Sequence, residues 1–144
     1  MADTPQGNPG FISEMDIRIW LRDTDPEANT LLLDLEFSPE EIRTAQTLAV
    51  DRWNELPPNV GKYTVTSFPW RYNLLQGTVA NLLTIAAHRY RRNHLNYNVP
   101  GGSINDQDKA PAYDMAAAKL SAEYGKFIHE KKIELNMEAG WGWT

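Results

Sequence analysis

Two histidines, two adjacent glutamates, a glycine pair and a run of arginines are the residues whose types invite chemistry. His88 and His94 lie six residues apart, which puts them on different faces of a helix rather than on one coordinating edge. Glu40-Glu41 has the look of a paired acid for proton transfer, but both residues follow Ser38-Pro39 and are explained by helix capping. Gly101-Gly102 offers backbone amides to an anion, yet a plain turn accounts for it. No HExxH, no CxxC and no phosphate-cradling glycine loop is present. The expectation is a chain that is not an enzyme, with no catalytic, metal-binding or cofactor-binding residues and no cofactor.

The arginines are harder to dismiss. His88-Arg89-Tyr90-Arg91-Arg92-Asn93-His94 is the one basic patch. Arg89 and Arg92 share a helix edge, with His88 and Arg91 beside them. Such a patch touches nucleic acid phosphates or pairs with carboxylates. The chain holds 19 acids against 14 Lys and Arg, a net charge of −5. That balance argues against a dedicated DNA binder and favours pairing, with acids of this chain or of a neighbouring subunit.

The C-terminus is the other candidate for recognition. Asn136-Met-Glu-Ala-Gly-Trp-Gly-Trp-Thr144 sets two tryptophans between glycines, beyond what reads as the final helix. Trp141 and Trp143 carry large apolar area, the kind over-used at interface hot spots. Residues 137–144 are therefore read as an interaction arm, with Trp141, Trp143 and Met137 as contacts to a partner. The alternative is that the rings fold back onto their own core. Tyr63 and Val65 are a further partner-binding pair, because Tyr63-Thr-Val-Thr66 favours an extended strand that a neighbour can extend.

The elements that must position these residues are helical. Ile12 to Leu21 gives a rough apolar face on a short helix. Asp25-Pro26 opens a further short turn through Leu31-Leu-Leu33. Ser38-Pro39-Glu40-Glu41 is a capping box with Phe37 and Ile42 as its hydrophobic staple. Ile42, Ala45, Ala49, Trp53 and Leu56 then recur at steps of three and four, and Pro57-Pro58 stops the helix. Residues 59–68 break the period, as a hairpin or an irregular crossover. Tyr63, Phe68, Trp70 and Tyr72 crowd aromatic rings there, by default into the core. A long helix from about Trp70 to Tyr97 carries Leu74, Leu75, Val79, Leu82, Leu83, Ala86, Ala87 and Tyr90. Gly77 inside it costs about 1 kcal/mol unless another backbone packs there. After a loop at 99–108, a last helix from about Pro111 carries Tyr113, Ala116, Ala117, Leu120, Tyr124, Phe127, Ile128 and Leu135. Lys126, Lys131 and Lys132 fall late in that helix, where they complement its dipole.

The expected fold is all-α: a small bundle of three to four helices, with a short β-hairpin or extended loop and an extended C-terminal arm. Its 144 residues suit one domain. Residues 1–11 read as a disordered arm, 12–136 as the helical domain and 137–144 as the C-terminal arm. No cysteine is present, which excludes disulfides and thiolate metal sites and fits a reducing compartment. No stretch approaches the roughly 18 apolar residues that span a bilayer, and the polar start is not a signal peptide.

Several segments together resemble small structural proteins of the virions of large contractile-tailed bacteriophages. They are Asp16-Ile-Arg-Ile-Trp-Leu-Arg-Asp23, Glu36-Phe-Ser-Pro-Glu-Glu-Ile42, Val50-Asp-Arg-Trp-Asn-Glu-Leu-Pro-Pro58, Ser67-Phe-Pro-Trp-Arg-Tyr72, Arg92-Asn-His-Leu-Asn-Tyr97 and Lys131-Lys-Ile-Glu-Leu-Asn136 with its Gly/Trp tail. The helical layout is similar to head–tail connector (adaptor) proteins. That resemblance implies a subunit of a twelve-fold ring in the virion neck, assembled in the host cytoplasm. Its implied partners are further copies of itself, the portal, and a tail or neck protein, with DNA passing through the lumen without sequence-specific binding. It implies a C-terminal arm, here anchored by Trp141 and Trp143, that reaches the portal or an adjacent subunit. Connector lumens are often acidic, so Arg89, Arg91 and Arg92 fit a bridge between subunits better than a lumen lining. A tail-completion or baseplate protein and a nucleic-acid-binding helical module are the alternatives.

Overall fold

A computed structural model describes residues 12–23, 37–92, 98–99, 102–103 and 109–142. The protein is all-α. Among the described residues there are four helices: α1 (Glu14–Leu21), α2 (Pro39–Glu55), α3 (Arg71–Arg92) and α4 (Lys109–Gly142). The only strand pairing among them is a two-residue antiparallel pair, Asn98 with Ser103 and Val99 with Gly102. The expected turn through Leu31-Leu-Leu33 and the arm at 1–11 lie outside the described residues.

Local sequence sets the starts of α1 and α2. Ser38 Oγ accepts from the Glu41 amide, and the Glu41 carboxylate accepts from the Ser38 amide. Ser13 and Asp16 repeat the same reciprocal cap at α1, with aspartate in place of glutamate. Helix α1 ends at Arg22, in the left-handed conformation with φ 60°. The chain returns to the core at Phe37, held by Asp23. One Asp23 carboxylate oxygen accepts from the Arg18 guanidinium at 2.8 Å and from the Phe37 amide at 3.0 Å.

Helices α3 and α4 run antiparallel. Tyr90 stacks on Tyr113 at 5.5 Å at one end, and Trp70 meets Phe127 at 5.6 Å at the other. Helix α2 packs on α3 and meets α4 through Ala49 and Arg52. The three meet around Tyr124, whose hydroxyl donates to the Ala49 carbonyl at 2.6 Å. Burial raises the Tyr124 pKa far above its usual value, and Arg52 beside the ring pulls partly against that. Gly77 is the reason the ring fits: a Cβ there would lie 2.7 Å from the Tyr124 ring. The cost of Gly77 is thus offset by an aromatic face rather than by the neighbouring backbone that the sequence suggested.

A second contact joins α4 to the end of α2. Lys132 is fully buried, and its ammonium donates to the carbonyls of Trp53 and Leu56. These are orphan carbonyls of the α2 C-terminus, where a cation is favoured. Lys132 therefore serves the dipole of α2, not that of its own helix, which runs ten residues beyond it. Burial lowers its pKa from the ordinary 10.5.

Of the two readings open for residues 59–68 one holds, and one further expectation needs correction. Residues 59–68 form no strand: they are the irregular crossover, closed by the Ser67 and Phe68 amides donating to the Thr64 carbonyl. The C-terminal arm is not extended either, because α4 continues to Gly142. Glycines 140 and 142 each cost about 1 kcal/mol relative to alanine, but adding residues to a formed helix is cheap compared with starting one.

Gly77→Ala is expected to lower the urea midpoint by about 1–3 kcal/mol equivalent, despite alanine's better helix propensity. Unchanged stability would mean that the Tyr124 ring can yield. Lys132→Met is expected to cost about 1–3 kcal/mol at neutral pH by leaving two buried carbonyls unpaired. The folded state holds the Lys132 proton less tightly than the unfolded chain. Stability linked to that site therefore rises as pH climbs towards 10.5 and is lost as pH falls through the folded value. Urea midpoints of wild type and Lys132→Met, compared between pH 8 and 10.5, check the sign.

Candidate functional site

The basic cluster sits on the last two turns of α3, at the end of the bundle where α4 begins. Its members have different employment. Arg89 donates to Glu41 at 2.7 Å and lies over the Phe37 ring at 5.8 Å, so it ties α3 to the start of α2. Arg91 pairs with Asp114 of α4. Arg92 and His88 are exposed, with no partner among the described residues. Arg89, Arg92 and His88 rim a shallow groove of about 490 Å³ with Ile85 in its lining. Two of the three arginines thus pair with acids of their own chain, as the excess of acids suggested, and one is left over.

Tyr63 and Val65 lie on the other side of α2. Tyr63 is half-buried against Trp53, Phe68 and Trp70, with ring centroids 5.6–5.9 Å apart. Its backbone is already paired: the Asn54 carboxamide accepts from the Tyr63 amide at 3.0 Å and donates to the Tyr63 carbonyl at 2.9 Å. A strand-adding neighbour finds no vacancy at Tyr63. Val65 is half-buried and lines a groove of about 290 Å³ with Val50, Asp51 and Thr47. Of the ring-rich stretch, Phe68 is core and Tyr63 and Trp70 pack against it, as the default reading had it, while Tyr72 is exposed.

Met137 is 54% exposed on α4. Trp141 belongs to the same helix, four residues later. Trp143 lies outside the described residues. Beyond Leu135, which packs on the core, Asn136, Met137 and Glu138 are all exposed. Helix α3 starts at Arg71, level with the Phe127–Lys131 stretch of α4. The end of α4 therefore overhangs the bundle.

One apolar surface was missed in the sequence. Met15, Ile19 and Trp20 of α1 are more than half exposed, and Trp20 meets the exposed Tyr72 at 6.4 Å. The signal was in the register. Ile17 and Leu21 lie four apart and face inward, while Met15 and Ile19 form a separate edge.

Among the described residues no group of three or more His, Asp or Glu is placed to hold a metal ion. No helix among them is long and apolar enough to cross a membrane. No protein-family model matches the chain, and neither a curated protein nor a solved structure does.

Arg89→Ala is expected to cost about 0.5–1 kcal/mol in urea denaturation, because it unpairs Glu41. Arg92→Ala should stay within about 0.5 kcal/mol of wild type. Equal effects would contradict the division of labour within the cluster.

Proposed function

We propose that the chain is a structural virion subunit, a ring-forming head–tail connector that joins the portal to the tail without doing chemistry itself. The observation that carries this reading is the overhang of α4. A helix of 34 residues outruns the described part of the bundle that supports it, and Asn136, Met137 and Glu138 on it are exposed. A terminal helix of that kind is suited to insertion into a neighbour. The exposed α1 edge of Met15, Ile19 and Trp20 adds a second surface whose apolar area is better buried in an assembly. The sequence resemblance supplies the place in the particle. The pairing of Arg89 and Arg91 with Glu41 and Asp114 weighs against the nucleic-acid-binding alternative, since it engages two of that cluster's three arginines with acids.

The test is a cryo-electron-microscopy reconstruction of the neck of the particle that carries this protein, paired with portal capture by a chain ending at Asn136. A ring beneath the portal, and capture weakened about tenfold or more by the truncation, are expected. A position at the baseplate or tail tube would overturn the connector reading. Absence from the particle would overturn the virion reading altogether.

A further inference from the structure

The groove between α2 and the crossover has two walls. Thr47, Val50 and Asp51 line it from α2, and Tyr63, Thr64 and Val65 line it from the crossover. Val50 is buried and Val65 half-buried, so the lining includes two aliphatic side chains largely withdrawn from water. Asp51 is half-buried as well, and its carboxylate has no hydrogen bond or ion pair among the described residues. A carboxylate that gives up part of its water without gaining a partner is held at a cost. Other withdrawn acids of the chain are compensated by a guanidinium: Glu41 takes Arg89, and Asp23 takes Arg18.

The α2 wall also sets the polarity of an occupant. A carboxylate only accepts hydrogen bonds. The Thr47 hydroxyl gives its proton to the Arg43 carbonyl at 2.9 Å, which leaves its oxygen as a second acceptor. An occupant of this wall must therefore donate. A calcium ion fits poorly, because it takes about six to eight oxygens and the wall supplies one carboxylate. A groove of about 290 Å³ lies at the lower end of small-molecule sites, roughly 300–1,000 Å³, and two walls do not enclose a free ligand. A long side chain brought by another protein needs no such enclosure, since the rest of its chain adds contact. We infer that the groove receives an arginine side chain of a partner protein, with the guanidinium on Asp51 and Thr47 and the methylene stem against Val50 and Val65. Arginine is favoured over lysine because its planar fork of donors can meet both acceptors and can lie on an aromatic ring such as Tyr63. The net charge of −5 favours a basic partner as its source over a second copy. Tyr63 and Val65 thereby meet a partner through side chains, although the Tyr63 backbone is closed to an added strand. The inference does not depend on the connector reading.

Titration of the full chain with short peptides, followed by amide NMR, tests it. A blocked glycine–arginine–glycine peptide should shift the amides of Thr47, Val50, Asp51, Tyr63, Thr64 and Val65 and saturate at about 1–10 mM. The same peptide with citrulline keeps the shape without the charge and should bind about tenfold or more weakly, with the lysine peptide in between. Raised salt should weaken the arginine peptide and leave the citrulline peptide unchanged. Asp51→Asn should weaken the arginine peptide about tenfold or more. Its urea midpoint should stay at that of the wild type, because the carboxylate pairs with no described group of its own fold. No saturating shift at these residues, equal binding of the citrulline peptide, or unchanged binding by Asp51→Asn overturns the site. A lowered urea midpoint in Asp51→Asn also overturns it, since the carboxylate would then serve the fold. Guanidinium ion that binds as tightly as the peptide would make the occupant a small cation and overturn the partner assignment. So would wild-type self-association at about 1 mM that Asp51→Asn abolishes, which would make the occupant a second copy. Arginine-peptide binding as expected, in a chain absent from the virion neck, sinks the connector reading and leaves this site standing.

Discussion

The fold depends on the burial of Trp53. Its indole sits at the last turn of α2, and every other part of the bundle's lower end closes on it. Trp70 lies 4.9 Å away, with Phe68, Phe127 and Tyr63 within 6.0 Å. The ring nitrogen donates to the Gly61 carbonyl at 3.0 Å, which fixes the crossover after α2. The backbone carbonyl of the same residue takes the Lys132 ammonium, and the ring lies 5.1 Å from that cation. One side chain thus joins α2, the crossover, the entry to α3 and the middle of α4. An aromatic of this size supplies more apolar burial than any other residue type, and its one polar atom is satisfied.

The consequence is a molecule with a firm centre and uncommitted ends. Tyr124, Gly77 and Arg52 lock the middle of α4 to the last turns of α2 and the second turn of α3. Arg52 donates to the Ser121 carbonyl and hydroxyl, and it passes so close to Gly125 that a Cβ there would lie 2.6 Å from its terminal nitrogen. By contrast Asn136, Met137 and Glu138 near the end of α4, and His88 and Arg92 on α3, are exposed.

Much of this was legible in the sequence, and the misses share a cause. Helix α2 was readable at both ends because its signals are local: the capping box at Ser38, the staple residues Phe37 and Ile42, and the Pro57-Pro58 stop. The aromatic crossover was read as core by default, with a partner-facing edge as the alternative; Phe68 is core and Tyr72 is exposed. The misses required a partner distant in sequence. Lys132 was seen as a helix-dipole residue, but which helix it serves depends on how α2 ends 76 residues away. Gly77 was seen as needing a close neighbour, but nothing in its surroundings names Tyr124. The end of α4 was placed too early because glycine was weighed residue by residue, without the long helix behind it. Ile19 and Trp20 were counted by type when their register already separated them from Ile17. Of the site residues, the division among Arg89, Arg91 and Arg92 follows from Glu41 and Asp114, which no spacing rule connects to them.

The small pairing between Asn54 and Tyr63 carries a further meaning. Tyr63-Thr-Val-Thr66 is β-prone, uncharged and close to the surface, a short segment of the kind that seeds cross-chain sheet growth when its backbone is open. The Asn54 carboxamide imitates the facing strand and occupies both the donor and the acceptor of Tyr63. Ser67 Oγ accepts from the next amide, that of Thr64. The segment is therefore blunted as an aggregation template by side chains of its own subunit. A chain whose stickiest backbone is closed off in this way is less prone to join another through it.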